Sequence, residues 1–346
     1  MALDPADAGA VEAALASFLA DHLGVPSVSF AEPPAPVLHG WDTYVYLFRL
    51  DAASGALTPE WTRALVLRIY ADQERWGSAE AETAIQRFVV DRGFPAPRPL
   101  ALVDAAGPFG LPFMIMDRLP GRTMVDYVGF NPTRLPKTFA GMAALHARLH
   151  RLPVEGWPLP DDGAPLVDRL LALLRDDAER LGVNEADSAI DWLEQHRAAV
   201  VPEERSLCHG DFHPLNILVE SVDRMSVVDW GMAMVGDRHS DVANALALVR
   251  LVPTGSIGGR AQQAVVGLAR RWAARRYLAA YRALLPLEVA RLRYWETFHA
   301  VRWWVAFSVF LSQGSAAAGL KPESTGYVRP EHVAVFRRRF EELANG

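Results

Sequence analysis

Cysteine is scarce in this sequence: Cys208 is the only one among 346 residues. A single thiol excludes a framework of disulfides and a metal centre built from several cysteines. The sequence also lacks a long hydrophobic run. Its longest apolar stretch, around Ala300 to Leu311, is interrupted by Arg302 and is too short to span a bilayer. The first residues show no basic segment followed by an apolar one, as a secretory signal would. We therefore expect a cytoplasmic protein that does not insert into a membrane.

An excess of positive charge is missing as well. The formal net charge is −6 at pH 7, which disfavours nucleic acid as a partner. A local basic cluster has the spacing of one solvated helix face, and we favour that interpretation over contact with nucleic acid. Its members are Arg270, Arg271, Arg275 and Arg276. The sequence does not indicate the oligomeric state.

The first third of the chain reads mainly as strands. Apolar spacing predicts a helix around Val11–Leu19 that stops at Gly24. Runs of β-forming residues predict strands, and a second helix is expected over 77–91. The predicted strands are 27–30, 43–50, 64–70, 98–103 and 112–117. Together these elements describe an N-terminal lobe of residues 1–118.

From residue 119 to 346 helical patterns dominate. Apolar periodicity predicts helices over 137–151, 165–181, 188–200, 240–251, 260–285, 287–311 and 330–344. Two short apolar runs, Ile217–Val219 and Ser226–Val228, lie within this half, and the turn-like residues 220–225 separate them. We predict a β-hairpin there, which would bring the segments that flank it to a shared edge.

Those flanking segments carry the chemistry. Before the hairpin stands His209-Gly210-Asp211-Phe212-His213-Pro214-Leu215-Asn216, and after it Val227-Val228-Asp229-Trp230-Gly231. Phosphoryl transfer needs a carboxylate within hydrogen-bonding distance of the attacking hydroxyl, and it needs oxygen ligands for Mg²⁺. Asp211, Asn216 and Asp229 are residues of these types, and the hairpin would return Asp229 beside the other two.

With these motifs the sequence resembles the aminoglycoside phosphotransferase/choline kinase-like family of small-molecule kinases, from about Val37 to Leu311. The resemblance implies an α+β fold of the bilobal protein-kinase type, with an antiparallel-sheet N-lobe and a mainly helical C-lobe. It implies an ATP- and Mg²⁺-dependent phosphotransferase that moves the γ-phosphoryl group to a hydroxyl of a small molecule. The acceptor would be aminoglycoside-like, a sugar, an amino alcohol or macrolide-like, and GTP in place of ATP stays open. In this family pattern Asp211 is the catalytic carboxylate, and Asn216 and Asp229 are the metal ligands.

The resemblance also suggests how the loop is held. His209 is expected to brace it by hydrogen bonding. Asp241 matches a family residue that steadies the backbone of the loop, and a charge at a helix N-terminus is an equally good interpretation. His213 is either a loop residue or part of the acceptor site.

Residues that bind the nucleotide are expected in the N-lobe. Arg68, on the strand 64–70, stands where most kinases place a lysine for the α- and β-phosphates, and its guanidinium fork suits phosphate. Glu82, on the helix that follows, is its expected partner. The preceding loop has one glycine, Gly40, which with the hydroxyl of Thr43 would approach phosphate.

Adenine is expected against the segment 114–119. Backbone groups of Asp117 and Leu119 would make the hydrogen bonds to the purine, and Met116 would pack nearby. Because the backbone does the recognition, the side chains of this segment carry little information.

Two features bear on the acceptor. An acidic segment would suit a cationic substrate, although a solvated face of two helices is the interpretation that we favour. Its members are Asp161, Asp162, Asp168, Asp176, Asp177, Glu179, Glu185, Asp187, Asp191 and Glu194. Aromatic residues spaced by three and four favour a core helix over an aromatic wall for a substrate. They are Tyr294, Trp295, Phe298, His299, Trp303, Trp304 and Phe307.

Two other functions stay open at this point. His209, Asp211 and His213 alternate as metal ligands do, so a metal-dependent hydrolase is an alternative. That alternative leaves Asp229 and the order of the elements unexplained. A catalytically silent nucleotide-binding relative is the other, suggested by Arg68 and the glycine-poor loop.

Overall fold

The computed structural model describes residues 3–37, 43–53, 57–129, 131–202, 204–251, 260–314 and 329–345, and for 260–263 the backbone alone. The chain divides into two compact units, Met1–Pro120 and Gly121–Gly346. This division falls two residues beyond the expected one. Among the helices of the described residues, none has the length and apolarity that crossing a membrane requires.

A five-stranded antiparallel sheet forms the first unit, with the strand order β1-β2-β3-β5-β4. The elements in chain order are α1 (Ala8–Leu23), β1 (Phe30–Val37), β2 (Thr43–Leu50), β3 (Ala64–Tyr70), α2 (Trp76–Asp91), β4 (Pro99–Val103) and β5 (Phe113–Asp117). Apart from the first strand, these bounds lie within about three residues of those predicted. Helix α1 begins where Asp7 accepts the backbone N–H groups of Gly9 and Ala10, and it ends at Gly24 in the left-handed conformation, as expected.

The first strand was predicted in the wrong place. The sequence favoured 27–30, whereas β1 spans Phe30–Val37 and includes Pro33, Pro34 and Pro36. Proline lacks the N–H that a ladder needs, so it argues against a strand inside a sheet. β1 is an edge strand that pairs only with β2, and two register shifts interrupt that pairing.

The second unit is mainly helical. Its helices are α3 (Met124–Val128), α4 (Leu135–His150), α5 (Leu166–Arg180), α6 (Asp187–His196), α7 (Arg238–Leu251), α8 (Arg260–Leu284), α9 (Val289–Gln313) and α10 (Pro330–Ala344). Its strands are β6 (Arg122–Thr123), β7 (Arg205–Cys208), β8 (Ile217–Ser221), β9 (Arg224–Val227) and β10 (Met234–Asp237). The predicted hairpin is confirmed as β8 and β9, and the short strands β6, β7 and β10 were not predicted.

Two small sheets position the segments on either side of the hairpin. β7 pairs antiparallel with β10, so that Cys208 lies opposite Met234. β8 lies between β6 and β9. The segment 209–216 leaves β7, and the segment 228–233 runs from β9 to β10. Because β7 and β10 are paired, the two segments leave and enter the same end of that ladder.

Most of the aromatic run on α9 belongs to the core, as the spacing indicated. Tyr294, Trp295, Phe298, Trp304 and Phe307 are buried. Burying several large rings supplies much of the apolar area that holds the helical unit together. Trp303 is only partly buried, and it is the member of the run that reaches the loop described next.

Candidate active site

The segment 209–216 turns sharply at Gly210. This residue has φ +77°, and a Cβ placed on it would lie 2.2 Å from the carbonyl oxygen of Met232. Glycine is therefore required both by the left-handed backbone and by the close approach of the second segment. Asn244 on α7 donates its side-chain N–H to the carbonyl of Gly210 (2.6 Å), and the indole N–H of Trp303 donates to Asn244 (2.9 Å).

Asp211 follows this turn and is held by two side chains of the same loop. Asn216 Nδ2 donates to the backbone carbonyl of Asp211 (3.0 Å) and to its Oδ2 atom (2.9 Å). His213 Nε2 also lies 3.2 Å from Oδ2. The carboxylate is still 28% exposed, so it is fixed in direction and accessible to a substrate.

The electrostatic surroundings keep Asp211 ionised. Burial alone would raise its pKa, but the charge of His213, the hydrogen bond from His213, and the charges of His209 and Arg302 together hold the pKa below its ordinary value. The pKa of His213 is raised in turn: burial opposes its charge, and the carboxylate of Asp211 outweighs that burial. An ionised carboxylate can accept the proton or the hydrogen bond of a hydroxyl.

Asp229 lies at the start of the second segment. The N–H of Val228 donates to the carbonyl of Asn216 (2.9 Å), which ties this segment to the end of the first. Asp229 has φ +66°, an uncommon backbone conformation for a residue other than glycine. Strain of this kind persists where the surrounding structure imposes it, often at functional sites.

Asn216 and Asp229 offer oxygen atoms that suit Mg²⁺. The amide nitrogen of Asn216 is engaged by Asp211, so its Oδ1 atom is the one that can ligate a metal. Asp229 is partly exposed and offers a carboxylate. Hard oxygen ligands of this kind are those that Mg²⁺ prefers, and Mg²⁺ usually keeps several waters or substrate phosphates as well. The donor set fits the ion.

Asp241 on α7 holds the backbone of the loop. Its carboxylate accepts the N–H of His209 at Oδ2 (2.6 Å) and that of Gly210 at Oδ1 (2.9 Å). The ring of His209 lies 3.2 Å from the carbonyl of Val228 and accepts the N–H of Asp211 (3.3 Å). His209 and Asp241 thus sit where the resemblance expects residues that brace the loop.

Sequence reasoning missed a buried network behind Asp241. His146 and His150 on α4 each place Nε2 on Asp241 Oδ2, at 3.0 and 3.2 Å. Their Nδ1 atoms lie 2.6 Å from the hydroxyls of Tyr277 and Tyr281 on α8. The matching i,i+4 spacing of the two pairs was the available signal. Nothing in the sequence showed that residues more than a hundred positions apart would meet.

The network could be mistaken for a metal site, since three potential ligand atoms lie within 4.8 Å of one another. Hydrogen bonds already occupy both nitrogens of each ring. Asp241 has a pKa well below the ordinary value, because the two histidines outweigh its burial. An ionised carboxylate only accepts, so each Nε2 donates its proton to Asp241. Burial lowers the pKa of His150 to about 4, so its Nδ1 accepts the hydroxyl proton of Tyr281. The arrangement is a saturated hydrogen-bond network that fixes Asp241.

In the first unit, Arg68 and Glu82 form a buried ion pair. Arg68 Nη1 lies 2.8 Å from Glu82 Oε1, and the two side chains are 8% and 2% exposed. Tyr70 donates its hydroxyl to Glu82 Oε2 (2.8 Å), and Gln86 donates to Oε1 (3.2 Å). The strand arginine and the helix glutamate named from the sequence are therefore in contact. Thr43, the first residue of β2, is buried opposite Tyr70, and Gly40 lies outside the described residues.

The segment expected against adenine ends β5. Met116 is buried, whereas Leu119 lies beyond the strand and is partly exposed. The N–H of Asp117 donates to the carbonyl of Arg98 (3.0 Å) within the sheet. Of the two backbone groups of Asp117, the carbonyl is therefore the one that can bond to a purine. The sequence had predicted a role for the backbone of Asp117 without deciding between its N–H and its carbonyl.

An antiparallel sheet with a buried Arg–Glu pair, followed by a helical unit with a His-Gly-Asp loop, defines the class of kinase-like phosphotransferase folds. The chain belongs to the phosphotransferase enzyme family, whose model matches residues 34–287. The resemblance drawn from the motifs is thereby confirmed, and so is the α+β kinase-like fold.

Two relatives illustrate the range of the sequence matches. Viomycin phosphotransferase of Streptomyces vinaceus is 31% identical over 171 residues, which cover 44% of this chain and 56% of that protein. Acyl-CoA dehydrogenase family member 10 of Mus musculus is 27% identical over 219 residues, 59% of this chain and 19% of that protein. The chain thus spans between about a fifth and about half of the length of these curated relatives.

Solved structures share the fold along nearly the whole chain. A thermostable mutant of aminoglycoside phosphotransferase APH(4)-Ia, in ternary complex with ADP and hygromycin B, has a TM-score of 0.64 at 18% identity, covering 96% of this chain and 98% of that one. Macrolide 2'-phosphotransferase type I has a TM-score of 0.56 at 17% identity, covering 98% of both chains.

Proposed function

We propose that this protein is an ATP- and Mg²⁺-dependent phosphotransferase that transfers the γ-phosphoryl group to a hydroxyl of a small molecule. The observation that carries the proposal is the geometry of Asp211. Its carboxylate is accessible, is kept ionised and accepts a hydrogen bond from Asn216. Asp229 follows the hairpin of β8 and β9, whose other end joins this loop. Membership of the phosphotransferase enzyme family supports it.

Asp211 would act on the acceptor through one defined atom. Its Oδ2 accepts from His213 and Asn216, so we assign Oδ1 to the acceptor hydroxyl. That oxygen orients the hydroxyl and takes its proton as the hydroxyl oxygen bonds to the γ-phosphorus and the bond from that phosphorus to the leaving ADP breaks. Asn216 Oδ1 and the Asp229 carboxylate would hold Mg²⁺, which when bound neutralises charge on the phosphates.

The other residues would bind or position. Arg68, held by Glu82, would pair with the α- and β-phosphates. Thr43, Met116, the carbonyl of Asp117 and the backbone of Leu119 would line the rest of the nucleotide. His209 and Asp241 would keep the loop in place through the hydrogen bonds described above. Gly40 stays in the proposal from the sequence alone.

ATP is the donor that we propose. A solved structure with this fold holds ADP together with hygromycin B, and a relative of the chain is a viomycin phosphotransferase. Both names describe acceptors that are small molecules. The metal-dependent hydrolase is the second candidate in the test below. No observation favours it over phosphotransfer, because His209 is buried and both nitrogens of its ring already contact backbone groups.

Thermal unfolding tests the proposal directly. We would measure the unfolding temperature with ATP or GTP, each with and without Mg²⁺, for the wild type, Asp229→Ala and the control Asp223→Ala in the exposed β8–β9 turn. A ligand at about a hundred times its Kd adds about 2.7 kcal/mol of stability. We expect a Mg²⁺-dependent shift that Asp229→Ala loses and Asp223→Ala keeps. Stabilisation by zinc or manganese alone, with no response to either nucleotide, would contradict the proposal and favour the hydrolase.

A further inference from the structure

Helix α9 carries three arginines, and Arg302 differs from the other two. Arg291 bonds to Asp237, Glu288 and two backbone carbonyls. Arg293 donates twice to the carbonyl of Leu343 (3.1 and 2.6 Å). Arg302 has neither a hydrogen bond nor an ion pair within the described ranges, and its guanidinium lies 5.4 Å from the ring centre of Trp303.

The guanidinium of Arg302 lies near the segment 209–216, which carries Asp211. Its neighbour Trp303 donates to Asn244, and Asn244 donates to the carbonyl of Gly210, which directly precedes Asp211. Arg302 is partly exposed, so a ligand can reach it. Burial lowers its pKa, and the charges of Asp211 and Asp177 counteract that effect without forming an ion pair with it. A guanidinium stays charged in proteins, and no described residue replaces the hydration that this one has lost with a hydrogen bond.

A second polar group on the same face has one ring nitrogen without a hydrogen-bond partner among the described residues. His299 lies one turn before Arg302 and is 2% exposed. Its Nε2 contacts the hydroxyl of Ser240 (3.0 Å), but its Nδ1 is buried and makes no hydrogen bond among the described residues. Burial and the charge of Arg302 lower the pKa of His299 to about 3, so the ring is neutral. Buried polar atoms without a hydrogen-bond partner are uncommon in folded proteins.

Among the described residues, no carboxylate of the acidic segment forms an ion pair with Arg302. Six of its ten carboxylates pair with arginines of their own neighbourhood: Asp161 with Arg205, Asp168 with Arg197, Asp176 and Asp177 with Arg180, and Asp191 and Glu194 with Arg175. Eight of the ten acidic residues are exposed, so the segment is a solvated face, which is the interpretation that its sequence favours.

We propose that Arg302 binds an anionic group of the acceptor, a carboxylate or a phosphate ester, while the acceptor hydroxyl faces Asp211. The proposal rests on the phosphotransferase function proposed above and names its substrate class. Guanidinium pairs with either anion through two parallel hydrogen bonds, which would fix the distance from the anion to the reacting hydroxyl. Arg302 thereby selects hydroxy acids or hydroxyalkyl phosphates over neutral and cationic alcohols.

A panel of matched acceptors tests this selection. The probes are straight-chain hydroxy acids of different length and hydroxyl position, each beside its primary amide, glycerol 3-phosphate beside glycerol, and a set of amino alcohols, all at constant ionic strength. Binding is followed by thermal stabilisation, which needs no turnover, and transfer by formation of ADP. The proteins are the wild type, Arg302→Gln, Arg302→Lys and the control Arg275→Gln, an exposed arginine on α8.

We expect an anionic probe to bind the wild type about tenfold or more tightly than its neutral counterpart. Arg302→Gln should raise KM for that probe by a similar factor and leave the neutral counterpart unchanged. Arg302→Lys should restore part of the affinity, and Arg275→Gln should behave as the wild type. Whether the acids or glycerol 3-phosphate respond separates carboxylate from phosphate recognition.

Two results would overturn the assignment of Arg302. One is a panel in which no anionic probe is preferred or in which amino alcohols bind best. The other is a loss of kcat in Arg302→Gln that is equal for charged and neutral acceptors, which would indicate a contact with the transferred phosphoryl group. A failure of the proposed phosphotransferase function would give another result. ATP with Mg²⁺ would then stabilise none of the four proteins, while the binding preference for anions would still be measurable.

Discussion

Asn216 Nδ2 donates to both the backbone carbonyl and the carboxylate of Asp211, at 3.0 and 2.9 Å. The six residues 211–216 are thereby closed into a ring, and the side chains of Asp211 and Asn216 cannot turn independently. The carboxylate is oriented before any substrate binds, so the loss of side-chain freedom does not have to accompany the reaction. The same contact leaves Asn216 Oδ1 as the oxygen able to ligate a metal.

Asp211→Asn tests the role of the carboxylate. The amide keeps the shape and can still accept from Asn216, but it cannot take a proton. We expect kcat for phosphoryl transfer to fall by about 10²–10⁴-fold, while nucleotide Kd changes by no more than about threefold. Turnover is measured by formation of ADP and affinity by titration with ATP and Mg²⁺. Asp223→Asn, the same change in an exposed turn, is the control, and wild-type turnover in Asp211→Asn would show that another group is the base.

Gly210→Ala tests the backbone of the loop. The new Cβ would lie 2.2 Å from the carbonyl oxygen of Met232, so the two segments must separate. A shift of about 1 Å at a catalytic group costs on the order of 100-fold in rate, and we expect that loss in kcat.

Gly182→Ala is the matched control for that substitution. Gly182 has a similar φ, +69°, but a Cβ there meets no atom within 4 Å. The left-handed backbone should destabilise this variant by about 1–2 kcal/mol, which urea unfolding measures. Its activity should stay that of the wild type. Equal activities in the two variants would show that the approach of Met232 has no bearing on catalysis.

A double-variant cycle at Arg68 and Glu82 separates stability from nucleotide binding. Glu82→Leu leaves Arg68 buried without its carboxylate and should destabilise the protein by about 3–5 kcal/mol in urea unfolding. Arg68→Met combined with Glu82→Leu should recover most of this loss, because an apolar pair can replace a buried ion pair. The double variant should still bind ATP with Mg²⁺ poorly. Wild-type affinity in it would mean that the pair is structural only.

Acid should destabilise the protein through its buried histidines. Burial and the neighbouring His146 lower the pKa of His150 to about 4, although Asp241 opposes them, and the pKa of His299 is about 3. In the unfolded chain a histidine titrates near 6.5, so between these values the unfolded state binds more protons. The stability from each ring is complete above about pH 6.5 and is lost as the pH falls toward 4, by up to about 1.4 kcal/mol per pH unit.

Urea unfolding at successive pH values checks this slope. His150→Gln should reduce it by one proton, whereas His22→Gln, at an exposed position on α1, should leave it unchanged. The slope is the readout because the glutamine also loses the contact with Tyr281 and lowers stability at every pH. An unchanged slope in His150→Gln would show that this ring takes up no extra proton on unfolding.

The sequence predicted best what depends on neighbouring residues. Helices with an apolar period and the hairpin of β8 and β9 were found to within a few residues, because their signals are local. Arg68 and Glu82 were named as partners from a strand and the helix that follows it, and they are in contact. The aromatic run on α9, apart from the partly buried Trp303, was correctly assigned to the core.

What the sequence could not predict depends on contacts between distant segments. The strand β7 is four residues long and forms because β10 pairs with it. His146 and Tyr277 meet across 131 residues, and no local pattern encodes that distance. β1 was misplaced because its prolines have a low propensity for strands. The strand forms because it lies at the edge of the sheet, where proline is tolerated.

That edge position has a consequence for the solution behaviour of the protein. Three of the eight residues in β1 have no N–H to offer, and the bulges bend the strand away from a regular ladder. A strand from a second chain arriving at this edge would find few donors and no constant register. The prolines that masked the strand signal of β1 therefore also prevent a further strand from pairing with it. They protect the first unit from the edge-to-edge aggregation to which open antiparallel sheets are prone.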